Sequence, residues 1–105
     1  MIKIIKIILL LFSLIMHSQK ILADEKIKIG LLIPLTGKNS EIGQSIIKAT
    51  QLAINKINNP LIEILPMDTK SNPQVTLRAA KKLKEQNIKI VIGPVFNGSL
   101  IYLDE

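Results

Sequence analysis

The strongest constraint on this chain is a switch of hydrophobic period that occurs twice in succession. Ile27–Ile33 is nearly continuously apolar, Ile42–Asn58 carries apolar residues at spacings of three and four, and the pair recurs as Ile62–Met67 and Pro73–Gln86 before a third apolar run at Ile88–Gly93. A continuous apolar run suits a parallel strand covered on both faces, whereas spacings of three and four mark an amphipathic helix. Strand, helix, strand, helix, strand predicts an α/β fold, the opening of a doubly wound parallel sheet. With right-handed crossovers the strand order is second, first, third. The chain is expected to be an incomplete lobe, its remaining strands absent and one edge of the third strand unpaired. Such sheets take ligands in a crevice at the carboxyl ends of their strands, where the strand order reverses. The loops after the first and third strands flank that point, so this chain supplies one wall of a site.

Local signals support each element. Pro34 ends the first strand, and Thr36-Gly37-Lys38-Asn39-Ser40 is a turn-rich loop from which Asn39 or Ser40 can cap the next helix, with Glu41 in its positive first turn. Ile42, Ile46, Ala49, Ala53 and Ile57 form the expected buried stripe, and Asn58-Asn59-Pro60 stops the helix. The second strand carries Glu63, which makes it more peripheral than the first, and Pro66 is expected near its end. Asn72-Pro73 is a helix start, because Asn accepts otherwise orphaned amides and Pro has none to leave unpaired. Val75, Ala79, Ala80 and Leu83 give the second stripe, and Asn87 suits the left-handed conformation just past a helix end. Asp68, at the end of the second strand, is expected to be a solvated or turn-forming carboxylate away from the switch point. Leu100-Ile101-Tyr102 reads as the beginning of a third helix.

Ahead of this unit lies a leader. Lys3 and Lys6 give a positive start, Ile7–Met16 is apolar apart from Ser13, and Ala23 precedes a charged Asp24-Glu25-Lys26. These are the three parts of a secretory signal peptide, with cleavage expected near Ala23. A membrane-spanning helix needs about 20 mostly apolar residues, and His17-Ser18-Gln19-Lys20 interrupts the run too soon. The expected organisation is a signal peptide over 1–23 and one small domain over 24–105. No Cys is present, which excludes disulfides and a lipid-modified cysteine. The product is expected in the periplasm.

Charge and residue inventory exclude several functions. Lys3, Lys6 and Lys20 fall in the leader, so of 14 basic residues 11 remain against 8 acidic ones, a formal +3. They are scattered, without a basic run or interleaved aromatics, which argues against nucleic acid. The single His is His17, in the leader. Catalytic triads, thiol chemistry and imidazole-bound zinc are thereby excluded for the rest of the chain. No enzyme activity, cofactor or metal is expected.

Asn97-Gly98-Ser99 follows the third strand. Backbone amides at a helix start, beside a hydroxyl and an amide side chain, can receive a carboxylate. The same residues also cap helices routinely.

Several runs resemble a known family. Ile27-Lys28-Ile29-Gly30, Leu35-Thr36-Gly37, Ile42-Gly43-Gln44, Leu52–Asn58, Met67–Pro73 and Ile92-Gly93-Pro94 look like the start of the leucine/isoleucine/valine-binding type of periplasmic binding protein, type 1. The resemblance implies a solute-binding protein in which two lobes close on an amino acid or similar small polar ligand and deliver it to an ABC-type membrane transporter. It also implies that Asn97 and Ser99, with Gly98, meet the ligand's carboxylate; Thr36 is a candidate contact, although a Thr in such a loop is more often a turn residue. Where amino-acid-binding relatives often carry an aromatic residue, this chain has Ile42 before Gly43, which removes a flat surface from the site. Leu32–Gly37, Leu65–Thr69 and Ile92–Phe96 are also similar to penicillin-binding-protein activators of the same fold. That second resemblance implies a protein-interaction module acting on a cell-wall synthase.

Overall fold

The computed structural model describes residues 1–16 and 24–103. Its elements are α1 (Ile2–Met16), β1 (Ile27–Ile33), α2 (Ser40–Ile57), β2 (Ile62–Asp68), α3 (Pro73–Glu85) and β3 (Ile90–Ile92), followed by a 3-10 turn at Asn97–Leu100. The three strands form one parallel sheet in the order β2-β1-β3. The α/β class and the strand order are those expected from the period switches.

α1 holds the apolar run Ile7–Met16, and its side chains from Ile2 to Leu14 are exposed. Fifteen residues rise only about 22 Å, short of the roughly 30 Å hydrocarbon core. None of the described helices is long and apolar enough to cross a membrane. The His17–Lys20 interruption and the Ala23 junction lie outside the described residues.

β1 is central, and its exposure falls along its length: Ile27 and Lys28 face solvent while Leu31, Leu32 and Ile33 are buried. The core lies between the sheet and α3, where Leu32, Ala79, Leu83 and Ile88 pack together with Leu65, Met67 and Ala80 at its margin. Gly30 lets α3 approach. A Cβ there would come within 2.5 Å of Leu83 Cδ1, and Leu83 is fully buried. The predicted α3 stripe is present, but it omits Thr76, which is wholly buried with its hydroxyl satisfied by donating to the Asn72 carbonyl at 2.8 Å. Asn72 caps α3 as expected, its side chain accepting from the Val75 amide at 3.0 Å with Pro73 in the first turn. Asn87 takes the left-handed conformation, φ 59°.

Five local expectations are corrected. The stripe Ile42, Ile46, Ala49, Ala53, Ile57 is exposed except for half-buried Ile46. The face turned to the sheet carries Gly43, Ile47, Thr50 and Ile54, one residue further round. Both stripes have helical spacing, so periodicity alone could not choose between them. Asn39 precedes α2 without a side-chain capping bond. Its amide instead donates to Ser71 Oγ at 2.9 Å. Pro66 sits inside β2, opposite Leu31, and the strand runs on to Asp68. An edge strand tolerates the missing donor. β3 is only Ile90–Ile92, since the Ile88 amide is taken by the Leu83 carbonyl at 3.0 Å. Leu100-Ile101-Tyr102 does not begin an α-helix: Asn97–Leu100 is a single 3-10 turn, in keeping with the weak helix propensity of Asn, Gly and Ser.

Candidate functional site

Because β1 and β3 are parallel neighbours, the loops that leave them emerge from the same end of the sheet. This is the topological switch point, with β2 on the far side of β1. Thr36 stands in the first loop, exposed, and Asn97 and Gly98 stand exposed after the second. Ser99 differs from them. It is 3% exposed, and its amide donates to the Phe96 carbonyl at 3.0 Å. The fold brings Thr36 and Asn97-Gly98-Ser99 to one end of adjacent strands and offers Asn97 and Gly98 to solvent more fully than Ser99.

Gly43 fixes how α2 meets this loop. A Cβ at that position would sit 1.8 Å from the Pro34 carbonyl oxygen, so only glycine allows the first turn of α2 to rest on the end of β1. Ile42, beside it, is 43% exposed.

Sequence reasoning undervalued Asp68. The continuation of β2 sets Asp68 opposite Ile33, level with the start of the first loop. Its Oδ1 accepts from the amides of Leu35 at 2.9 Å, Lys70 at 2.9 Å and Thr36 at 3.4 Å, and its Oδ2 accepts from the Thr36 hydroxyl at 2.6 Å. Partial burial alone would raise this carboxyl's pKa. The bonds from the Thr36 hydroxyl and from the Lys70, Leu35 and Thr36 amides outweigh it and hold the group below the ordinary carboxylate range. Asp68 thus forms a turn, as expected, and also ties the β2–α3 loop to the β1–α2 loop. Its place at the end of the second strand, on the far side of the first from the switch point, hid this.

Two hollows lie away from the switch point. One, of about 490 Å³, runs between α2 and the sheet beside Leu31, Ile47, Ile54 and Ile64. The other lies at the amino ends of the strands, where Lys26 and Glu63 form an ion pair at 3.8 Å.

The periplasmic binding protein family profile matches residues 26–101, and the chain belongs to that family. Among its relatives, the Leu/Ile/Val-binding protein BraC3 of Rhizobium johnstonii is 32% identical over 88 residues, covering 76% of this chain and 23% of that protein. The fold is similar to the leucine-binding protein LivK of Thermotoga maritima, with TM-score 0.64 and 25% identity over 70% of this chain and 22% of the other. It is also similar to a solute-binding protein of an ABC transporter from Rhodopseudomonas palustris BisB5, solved with 3,4-dihydroxybenzoic acid. There the TM-score is 0.60 at 28% identity over 63% of this chain and 20% of the other. The chain therefore spans less than a quarter of the length of these relatives.

Proposed function

We propose that this chain is the amino-terminal part of an exported solute-binding protein that captures a small polar, carboxylate-bearing ligand such as an amino acid for an ABC-type transporter. In this reading residues 1–23 are a signal peptide removed near Ala23, and residues 24–105 form part of the first lobe in the periplasm. Thr36, Asn97, Gly98 and Ser99 form its share of the ligand site. The observation that carries the reading is the placement of Thr36 and the Asn97-Gly98-Ser99 turn at the carboxyl ends of the two adjacent strands that flank the switch point. The relatives add chemical support. Leucine and 3,4-dihydroxybenzoic acid differ in almost everything except that each presents one carboxylate beside a compact body. Binding, not catalysis, is the role proposed for these residues.

Calorimetric titration of the intact protein with L-leucine and with 3-methylbutylamine, its counterpart lacking the carboxylate, tests the reading. Leucine or another small carboxylate should bind and the amine should not. Equal binding of the two, or binding of neither leucine nor any other carboxylate in a panel, would remove the carboxylate from the proposal.

A further inference from the structure

We infer that Asp68 is a positioning residue for the ligand wall: it fixes the loop carrying Thr36 and turns the Thr36 hydroxyl so that only its lone pairs face the cleft. The inference rests on the solute-binding reading for what the wall is for, but its geometry stands apart from any ligand. Thirty-odd residues of chain separate the two loops, and they are joined at two places. Asp68 takes four hydrogen bonds, three of them from Leu35 and Thr36, and Asn39 donates to Ser71 Oγ at 2.9 Å. The β2–α3 loop is itself held to the sheet, because the Thr69 amide donates to the Ile33 carbonyl at 2.9 Å and Thr69 is 2% exposed. Lys70 and Ser71, which follow Asp68, take positive φ, 50° and 52°. The loop that carries Thr36 is thereby tied, through Asp68, to a segment anchored on the sheet by buried Thr69.

The direction of the Thr36 hydrogen bond has a chemical consequence. An ionised carboxylate only accepts, so at 2.6 Å the Thr36 hydroxyl must be the donor. Its proton is then spent, and what it offers a ligand is acceptor capacity. A group resting against Thr36 must bring an N–H or O–H of its own. Carboxylate capture belongs to the other loop, so the wall carries an acceptor on one loop and amide donors on the next.

Asp68→Asn separates position from polarity. Three backbone amides converge on Oδ1, so the carbonyl oxygen of the new amide must occupy that place. Its NH2 group then faces Thr36 Oγ1 and reverses the bond, leaving the Thr36 proton free. Asp68→Ala removes both functions. By amide hydrogen exchange in the intact protein, Asp68→Ala should expose Leu35, Thr36 and Lys70 to exchange faster by about tenfold or more. The Thr69 and α3 amides should keep their rates, and Asp68→Asn should restore protection at Leu35 and Lys70. The Thr36 hydroxyl proton, hydrogen-bonded to Asp68, should give a distinct resonance in the native protein at low temperature and lose it in Asp68→Asn. Uniform acceleration throughout the chain, unchanged Leu35 and Thr36 rates, or a hydroxyl signal that survives Asp68→Asn would each overturn the inference. If Asp68→Ala does not fold, Asp68→Asn and the hydroxyl signal still decide it. A titration keeps this separate from the function itself. L-Leucine and 4-methylpentanoate differ by the amino group, and Asp68→Asn should cut the preference for leucine by about tenfold, one hydrogen bond's worth. A native protein that binds neither compound counts against the solute-binding reading, while the exchange and hydroxyl results still judge Asp68.

Discussion

Gly43 and Asp68 show how single residues set the geometry of the wall. In Gly43→Ala the new methyl meets the Pro34 carbonyl oxygen at 1.8 Å, and because that atom is backbone it cannot swing aside. The first turn of α2 must lift off β1, and overpacking of this kind costs about 1–3 kcal/mol or more. Urea unfolding of the intact protein should show a loss of that size, and an unchanged midpoint would mean that α2 is free to shift. Asp68 governs acid stability. Its folded carboxyl titrates below its unfolded value of about 3.9. Its contribution is therefore complete above that value and is lost as pH falls through the folded pKa. A stability profile taken from about pH 5 downward should fall less steeply for Asp68→Asn than for the native protein, and superimposable profiles would show that the carboxylate is not coupled to folding.

At the scale of elements, the two sheet edges differ. β2 is blunted by Pro66, which has no amide to donate, and by Glu63, which pairs with Lys26. Among the described residues, β3 has no such device. Ile90, Val91 and Ile92 are 49%, 41% and 53% exposed, and β1 occupies only one of the strand's edges. Residues 24–105 expressed alone should therefore self-associate, and Val91→Lys should shift them toward monomer in sedimentation. A dilute monomer with a cooperative melt would contradict this. Helix α3 depends more on its cap: Asn72→Ala should cost about 1 kcal/mol through loss of the bond to the Val75 amide. The elements themselves were legible because their signals are local. Asn72-Pro73, Asn87 and the continuous β1 run each state their conformation within a few residues. What was illegible depended on contact across the fold. α2 carries two apolar stripes, and the choice between them is made by Gly43 against Pro34, a contact no helical period reveals. Asp68 looked solvated because the second strand lies across β1 from the switch point, whereas the register sets it opposite Ile33, level with the start of the first loop. Thr36 and Asn97-Gly98-Ser99 were placed at the switch point by strand order alone. The burial of Ser99 could not be read from its type.

For the whole molecule, the leader and the site make separate claims. Expression in a Gram-negative host with the leader intact should give an envelope protein whose first residue is Asp24, as read by amino-terminal sequencing, and retention of Met1 in the membrane fraction would refute a cleaved signal peptide. The role of the wall is tested most directly by melting the intact protein against a panel of amino acids and small carboxylates, beside the double variant Asn97→Ala with Ser99→Ala. Because Ser99 is buried, the variant's own melting point is its baseline, and the ligand-dependent shift is the quantity compared. A ligand that binds only the folded state adds about 2.7 kcal/mol at a hundred times its dissociation constant, a shift any melting assay resolves. A solute-binding wall predicts such a shift in the native protein and its loss in the double variant. A flat response across the panel, with a cell-wall synthase co-purifying equally with both proteins, would contradict solute capture and favour the activator role instead.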